Sequence, residues 1–138
     1  MTIPTRAFAH IRLTVSDIDR SRAFYDEIFG LPVAFEVPAG ADDATREQLG
    51  WLFGGVVYQL GDSLFGLRPV GKDSFDEDRV GLDHASFAVQ SKAELEAAAA
   101  QLDRSGVTHE GIKDIGVGYI LEFRDPDNIA LELFAPKA

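Results

Sequence analysis

Apolar and polar residues alternate along FAHIRLTV (8–15). Alternation in a strand sends neighbours to opposite faces, so Ala9, Ile11, Leu13 and Val15 share an aliphatic face. Phe8, His10, Arg12 and Thr14 share the other, more mixed face. The period then changes. In SDIDRSRAFYDEIFG (16–30), Ile18, Phe24, Tyr25 and Ile28 fall on one helical stripe. Ser16 with Asp19 reads as an N-terminal cap, and Gly30 stands where a helix end turns left-handed. Short strands are predicted near 31–37, 56–60 and 63–69, with Gly61-Asp62 as a hairpin turn.

The second half repeats this order. A strand at 82–90 leads into a helix capped by Ser91 with Glu94, striped by Leu95, Ala98, Ala99 and Leu102, and closed by Gly106. Strands follow near 107–112, 118–124 and 129–135, the last two joined by the turn Asp125-Pro126-Asp127-Asn128. The pattern predicts an α+β fold of two tandem βαβββ modules, about 6–70 and 81–136, with a linker at about 71–80. Together they are expected to form one domain over 1–138, a curled, cup-shaped mixed sheet with helices on its convex side. The stretch PAGADDATREQLGWLFGG (38–55) has no counterpart in the second half. It reads either as a lid or pocket wall carrying Trp51 and Phe53, or as a surface excursion with its own apolar anchor.

Composition narrows the chemistry. There is no cysteine, so any metal must be held by histidine, carboxylate or neutral oxygen. With 23 acidic against 13 basic residues and a net charge of −10, nucleic acid and anionic membrane are not expected partners. No targeting segment or long apolar run is read in the chain, so a cytoplasmic location is expected.

His10 is matched by His84, each on the face away from its helix, 6 and 7 residues before Ser16 and Ser91 respectively. In the last strand Leu131 and Leu133 point one way and Glu132 and Phe134 the other. Two imidazoles and a carboxylate therefore share one strand-face assignment, which suits a divalent metal with coordination positions left for a ligand. His109, beside Glu110, has no counterpart in the first half and reads as an exposed residue.

AHIRLTVSDIDRSRAFYDEIFG, DHASFAV and FRDPDNIALELF resemble the vicinal oxygen chelate superfamily, which includes glyoxalase I, methylmalonyl-CoA epimerase, extradiol dioxygenases, fosfomycin-resistance thiol transferases and bleomycin-resistance proteins. The resemblance implies metal ligands at His10, at the position of Gly66, at His84 and at Glu132. Glycine at 66 departs from the glutamate of glyoxalase I and the usual glutamine of the epimerase. What is left is a His-His-Glu set like that of the dioxygenases and fosfomycin transferases. Where those enzymes place a tyrosine, this chain has Glu122, with Tyr119 offset nearby.

The expected function is a divalent-metal-dependent enzyme, a lyase, isomerase or ring-cleaving dioxygenase, acting on a small molecule that chelates the metal through neighbouring oxygens. Iron, zinc, manganese, nickel and magnesium all suit such ligands. Glu132 is expected to serve both as ligand and as base, Arg12 and Arg68 to receive an anionic group, and Trp51, Phe53, Tyr58, Tyr119 and Phe134 to wall the site. The alternative is a bleomycin-resistance-type protein that sequesters a drug or natural product without catalysis. A homodimer is expected, because each half-cup is open-sided.

Overall fold

The computed structural model describes residues 1–138, which fall into two compact units, Met1–Lys72 and Asp73–Ala138. The first runs β1 (His10–Thr14), α1 (Ile18–Ile28), β2 (Val33–Phe35), α2 (Asp43–Gln48), a 3-10 turn at Gly50–Leu52, β3 (Val56–Leu60) and β4 (Ser63–Arg68). α1 carries the chain from one edge strand to the other, and two antiparallel steps return it, so β4 lies parallel beside β1 in the order β1-β4-β3-β2. The second unit repeats the plan with β5 (Ala85–Ala88), α3 (Lys92–Arg104), β6 (His109–Asp114), β7 (Gly118–Arg124) and β8 (Ala130–Pro136). Its order is β5-β8-β7-β6, with β5 parallel to β8. The α+β class and the twice-repeated βαβββ order match expectation. Each module, however, has its own open four-stranded sheet and not a share of one continuous curled sheet.

Local chemistry sets the helix ends. Asp17, not Ser16, caps α1: its carboxylate accepts the Arg20 backbone N–H at 3.1 Å, while the Ser16 hydroxyl accepts from the Arg20 guanidinium at 2.9 Å. Ser91 caps α3 as expected, accepting from Glu94 N–H at 3.2 Å, and the Glu94 carboxylate reaches back to Gln90 N–H at 2.6 Å. Gly30 and Gly106 follow the two helices at φ +59° and +70°, a conformation that penalises a side chain.

One face of each sheet is buried beneath its helix. In the first unit Leu13, Val15, Phe65, Leu67 and Val56 are buried, and Tyr25 of α1 packs its ring 5.4 Å from that of Phe65. In the second, Leu121, Phe123, Leu131 and Leu133 lie beneath α3, which contributes Leu95 and Leu102. The turn into β8 is anchored by Asp125, 6% exposed, whose carboxylate accepts the N–H groups of Asp127 at 2.9 Å and Ile129 at 2.8 Å. That turn sets the register that carries Glu132 to its place opposite Ser86 on β5 and Glu122 on β7.

Candidate metal and ligand sites

In the second unit the face away from α3 brings together His84, Ser86, Glu122 and Glu132. His84 immediately precedes β5, and Ser86 and Glu132 are direct partners across the β5–β8 pairing. The Ser86 hydroxyl donates to Glu132 Oε1 at 2.7 Å. On the other side, His84 Nδ1 lies 2.6 Å from Asp83 Oδ1; an ionised carboxylate only accepts, so Nδ1 carries the hydrogen and Nε2 is left for another partner. The two atoms not engaged by these neighbours, Nε2 of His84 and Oε2 of Glu132, face each other at 3.5 Å.

That spacing fits a shared cation. Two donors at roughly 2.0–2.2 Å from one ion, separated by a tetrahedral angle, stand about 3.4 Å apart. Asp83 and Ser86 supply the outer hydrogen bonds that ordinarily fix such ligands in orientation. Electrostatics agree: the Asp83 hydrogen bond holds the His84 imidazole above its usual pKa, against desolvation, and the charges of Glu132, Asp83 and Glu122 add to the effect. Three carboxylates around one imidazole make a place that favours a cation. Glu122 is itself paired with Lys113 at 3.3 Å. No three histidine or acidic side chains are gathered into one group that could hold a metal ion; the facing pair is His84 and Glu132.

His10 begins β1 in the first unit and lines a cavity of about 220 Å³, together with Arg12, Trp51, Val57, Leu64 and Gly66. Pairing of β1 with β4 sets His10 opposite Leu64 and Arg12 opposite Gly66. The 38–55 stretch forms the wall: Leu52, fully buried, anchors it, and Trp51 stands 45% exposed beside the sheet. The Arg12 guanidinium donates through Nη2 to the Trp51 carbonyl at 2.6 Å and lies 5.7 Å from the indole centroid. Arg68 covers the exposed ring of Phe53 at 4.2 Å. Both expected roles of this stretch, wall and anchored excursion, are thus combined.

Phe134 lies on the same face of β8 as Glu132, its ring packed over Gly118, where a Cβ would fall 2.6 Å from Phe134 Cζ. Two expected wall residues do not reach the open faces. Tyr58 points into the helix-covered core, 1% exposed, and its hydroxyl donates to Asp26 of α1 at 2.8 Å. Tyr119 shares its strand face with buried Leu121 and Phe123, and Lys92 of α3 and Lys137 lie over its ring at 5.2 and 4.4 Å. In both cases strand parity puts the residue on the helix side. His109, expected to be exposed, begins β6 with its side chain only 15% exposed, held between Asp103 at 2.8 Å and the Gly111 N–H at 3.0 Å.

Sequence reasoning missed Asp83 and Ser86. Ser86 lies two residues after His84, on the same face, but its contact with Glu132 depends on the pairing of β5 with β8, which alternation alone does not reveal.

With the folds and side chains placed, the chain can be assigned to a class. It belongs to the Glyoxalase/Bleomycin resistance protein/Dioxygenase superfamily, whose model matches residues 7–133. Among its relatives is the uncharacterized protein YaeR of Escherichia coli (strain K12), 32% identical over 127 residues that cover 91% of this chain and 92% of that protein. A glyoxylase/bleomycin resistance protein/dioxygenase domain from Frankia sp. EAN1pec is similar at 30% identity and a TM-score of 0.76, over 96% of this chain and 93% of that one. A single-residue mutant of the fosfomycin resistance protein FosX from Listeria monocytogenes, solved with Mn(II) and 1S,2S-dihydroxypropylphosphonic acid, shares the fold at a TM-score of 0.73 and 20% identity, covering 99% of this chain and 95% of that one.

Proposed function

We propose that the protein is a divalent-metal-dependent enzyme acting on a small molecule that presents two neighbouring oxygens to the metal. The observation that carries this reading is the facing pair His84 Nε2 and Glu132 Oε2 at 3.5 Å, each with its other heteroatom already engaged. His10, the counterpart of His84 in the first module and also expected as a ligand, lines the cavity of its own unit beside Arg12. The FosX mutant, a structural relative, was solved with Mn(II), which supports a divalent ion in this fold. A bound ion would supply Lewis-acid stabilisation of negative charge on the two ligand oxygens. The chain's own groups do the rest. Ser86 holds Glu132 in orientation, Glu132 acts as ligand and proton acceptor, and Asp83 keeps the His84 proton on Nδ1. Phe134, on the same face of β8 as Glu132, contacts the molecule bound there, and in the first unit Arg12, Trp51, Phe53 and Arg68 offer a ligand-binding face of their own. The working form is a cytoplasmic homodimer, which light scattering checks at twice the chain mass.

A second reading has its own observation. Gly66 supplies no ligand, and no three metal-holding side chains come together, which suits a sequestering protein of the bleomycin-resistance kind. Metal analysis of protein purified without added ions separates the two. The enzyme reading predicts a stoichiometric divalent ion that is lost in His84→Ala and Glu132→Ala. Metal-free wild-type protein that binds a planar cationic drug overturns it in favour of sequestration.

A further inference from the structure

We infer that the cavity of the first unit binds a small organic carboxylate, recognised by Arg12 where its stem crosses Gly66. The sequence departs from its superfamily at this point, and the structure shows what fills the space. A Cβ at Gly66 would lie 3.0 Å from Arg12 Cγ and 3.3 Å from Val57 Cγ2, so the arginine stem packs closely over the glycine and any side chain there would push it aside by a few tenths of an ångström.

That cation is poorly compensated. Arg12 gives Nη2 to the Trp51 carbonyl, while its Nε is buried with no acceptor. An unpaired buried donor costs about 1–3 kcal/mol, and such groups call for a specific explanation. Burial, and after it the charge of neighbouring Arg68, holds the Arg12 pKa below the usual arginine value. Several other cations of this acidic chain have carboxylate partners: Arg22 with Glu36, Lys113 with Glu110 and Glu122, Arg124 with Glu77. A chain with 23 acidic residues has left two arginines on one sheet face, Arg12 lining the cavity and Arg68 two residues beyond its partner Gly66. A carboxylate ligand relieves that repulsion and supplies the planar pair of acceptors a guanidinium fits.

The remaining lining specifies the body of the ligand. Trp51, Val57 and Leu64 are apolar, and His10 stands at the edge. A cavity of about 220 Å³ equals roughly seven waters at about 30 Å³ each, the size of a small carboxylic acid. As an assignment of substrate class this rests on the proposed function. As binding chemistry it needs no metal, and that difference separates their tests.

Trp51 is the sole tryptophan, so its fluorescence reports from the cavity wall. Metal-free protein, kept so with a chelator, is titrated with cyclohexanecarboxylate and with its neutral isostere cyclohexanecarboxamide. The expected result is a saturable change with the carboxylate and at least tenfold weaker binding of the amide. Arg12→Gln is expected to lose at least tenfold for the carboxylate alone. Gly66→Glu, which places an internal carboxylate beside Arg12, abolishes carboxylate binding. Equal affinity for the two probes in wild-type protein, a comparison that needs no variant, overturns the inference, as does carboxylate affinity within twofold of wild type in Arg12→Gln. Metal content of the same wild-type protein is measured in parallel. Carboxylate binding without metal loading would sink the metal reading alone; metal loading without carboxylate binding would sink this one alone.

Discussion

Removing the Ser86 hydroxyl tests the metal pair through a residue that is not itself a ligand. In Ser86→Ala, Glu132 loses the donor held 2.7 Å from Oε1, which fixes Oε2 in its place 3.5 Å from His84. A hydrogen bond to a charged acceptor is worth about 1.5–3 kcal/mol. The Glu132 side chain is 14% exposed, which keeps the bond shielded, but Ser86 lies at the surface, so the lower end applies. Loss of an outer hydrogen bond to a metal ligand ordinarily weakens metal affinity by about 10–100-fold, or about 1.4–2.7 kcal/mol. The two estimates meet near tenfold. Competition between the protein and a chromogenic chelator for Zn²⁺ measures it, with thermal unfolding of the metal-free variant showing that the fold is kept. Wild-type zinc affinity in a folded Ser86→Ala protein would refute the role given to the Ser86–Glu132 bond.

Three other substitutions probe separate parts of the account. Asp83→Asn removes the main cause of the raised His84 pKa, so the imidazole titrates at lower pH, read by NMR; because a raised histidine pKa stabilises the metal-free fold below the unfolded value and ceases to as pH climbs through the folded one, the stability gap from wild type is widest at acid pH and closes towards alkaline pH. Gly118→Ala forces a Cβ to within 2.5 Å of the Ala135 carbonyl and 2.6 Å of Phe134 Cζ, and urea unfolding is expected to show a loss of about 1–3 kcal/mol. Tyr58→Phe costs about 1 kcal/mol by removing the bond to Asp26, yet leaves carboxylate affinity at Trp51 unchanged, since Tyr58 belongs to the core and not to the site.

The division between what could and could not be read from the chain follows from the range of the interactions. Alternation and helical periodicity act over a few residues, and they placed Leu13, Val15, Leu131 and Leu133 in the core and His10 and Glu132 on the opposite faces. The same parity, applied to Tyr58 beside buried Val56 and to Tyr119 beside Leu121, puts both tyrosines under the helices; treating them as site walls set aromatic character above strand parity. Capping was legible at Ser91, but at the first helix two adjacent acceptors competed, and the Asp17 carboxylate took the backbone while Ser16 took the Arg20 side chain. Ser86 with Glu132, and Arg12 over Gly66, depend on which strands pair and in which register, and no local pattern encodes that. Gly66 was visible as a missing ligand. That an arginine stem fills its place was not.

The pairing of His84 with Glu132 about one ion is tested most directly by NMR of protein carrying ¹⁵N-labelled histidine, titrated with diamagnetic Zn²⁺. At one equivalent the account predicts a coordination shift at His84 Nε2, with Nδ1 still protonated towards Asp83, and no change at His109, whose two nitrogens are already engaged by Asp103 and Gly111. An unmoved His84 resonance at that ratio, or a shift confined to His109, would contradict it.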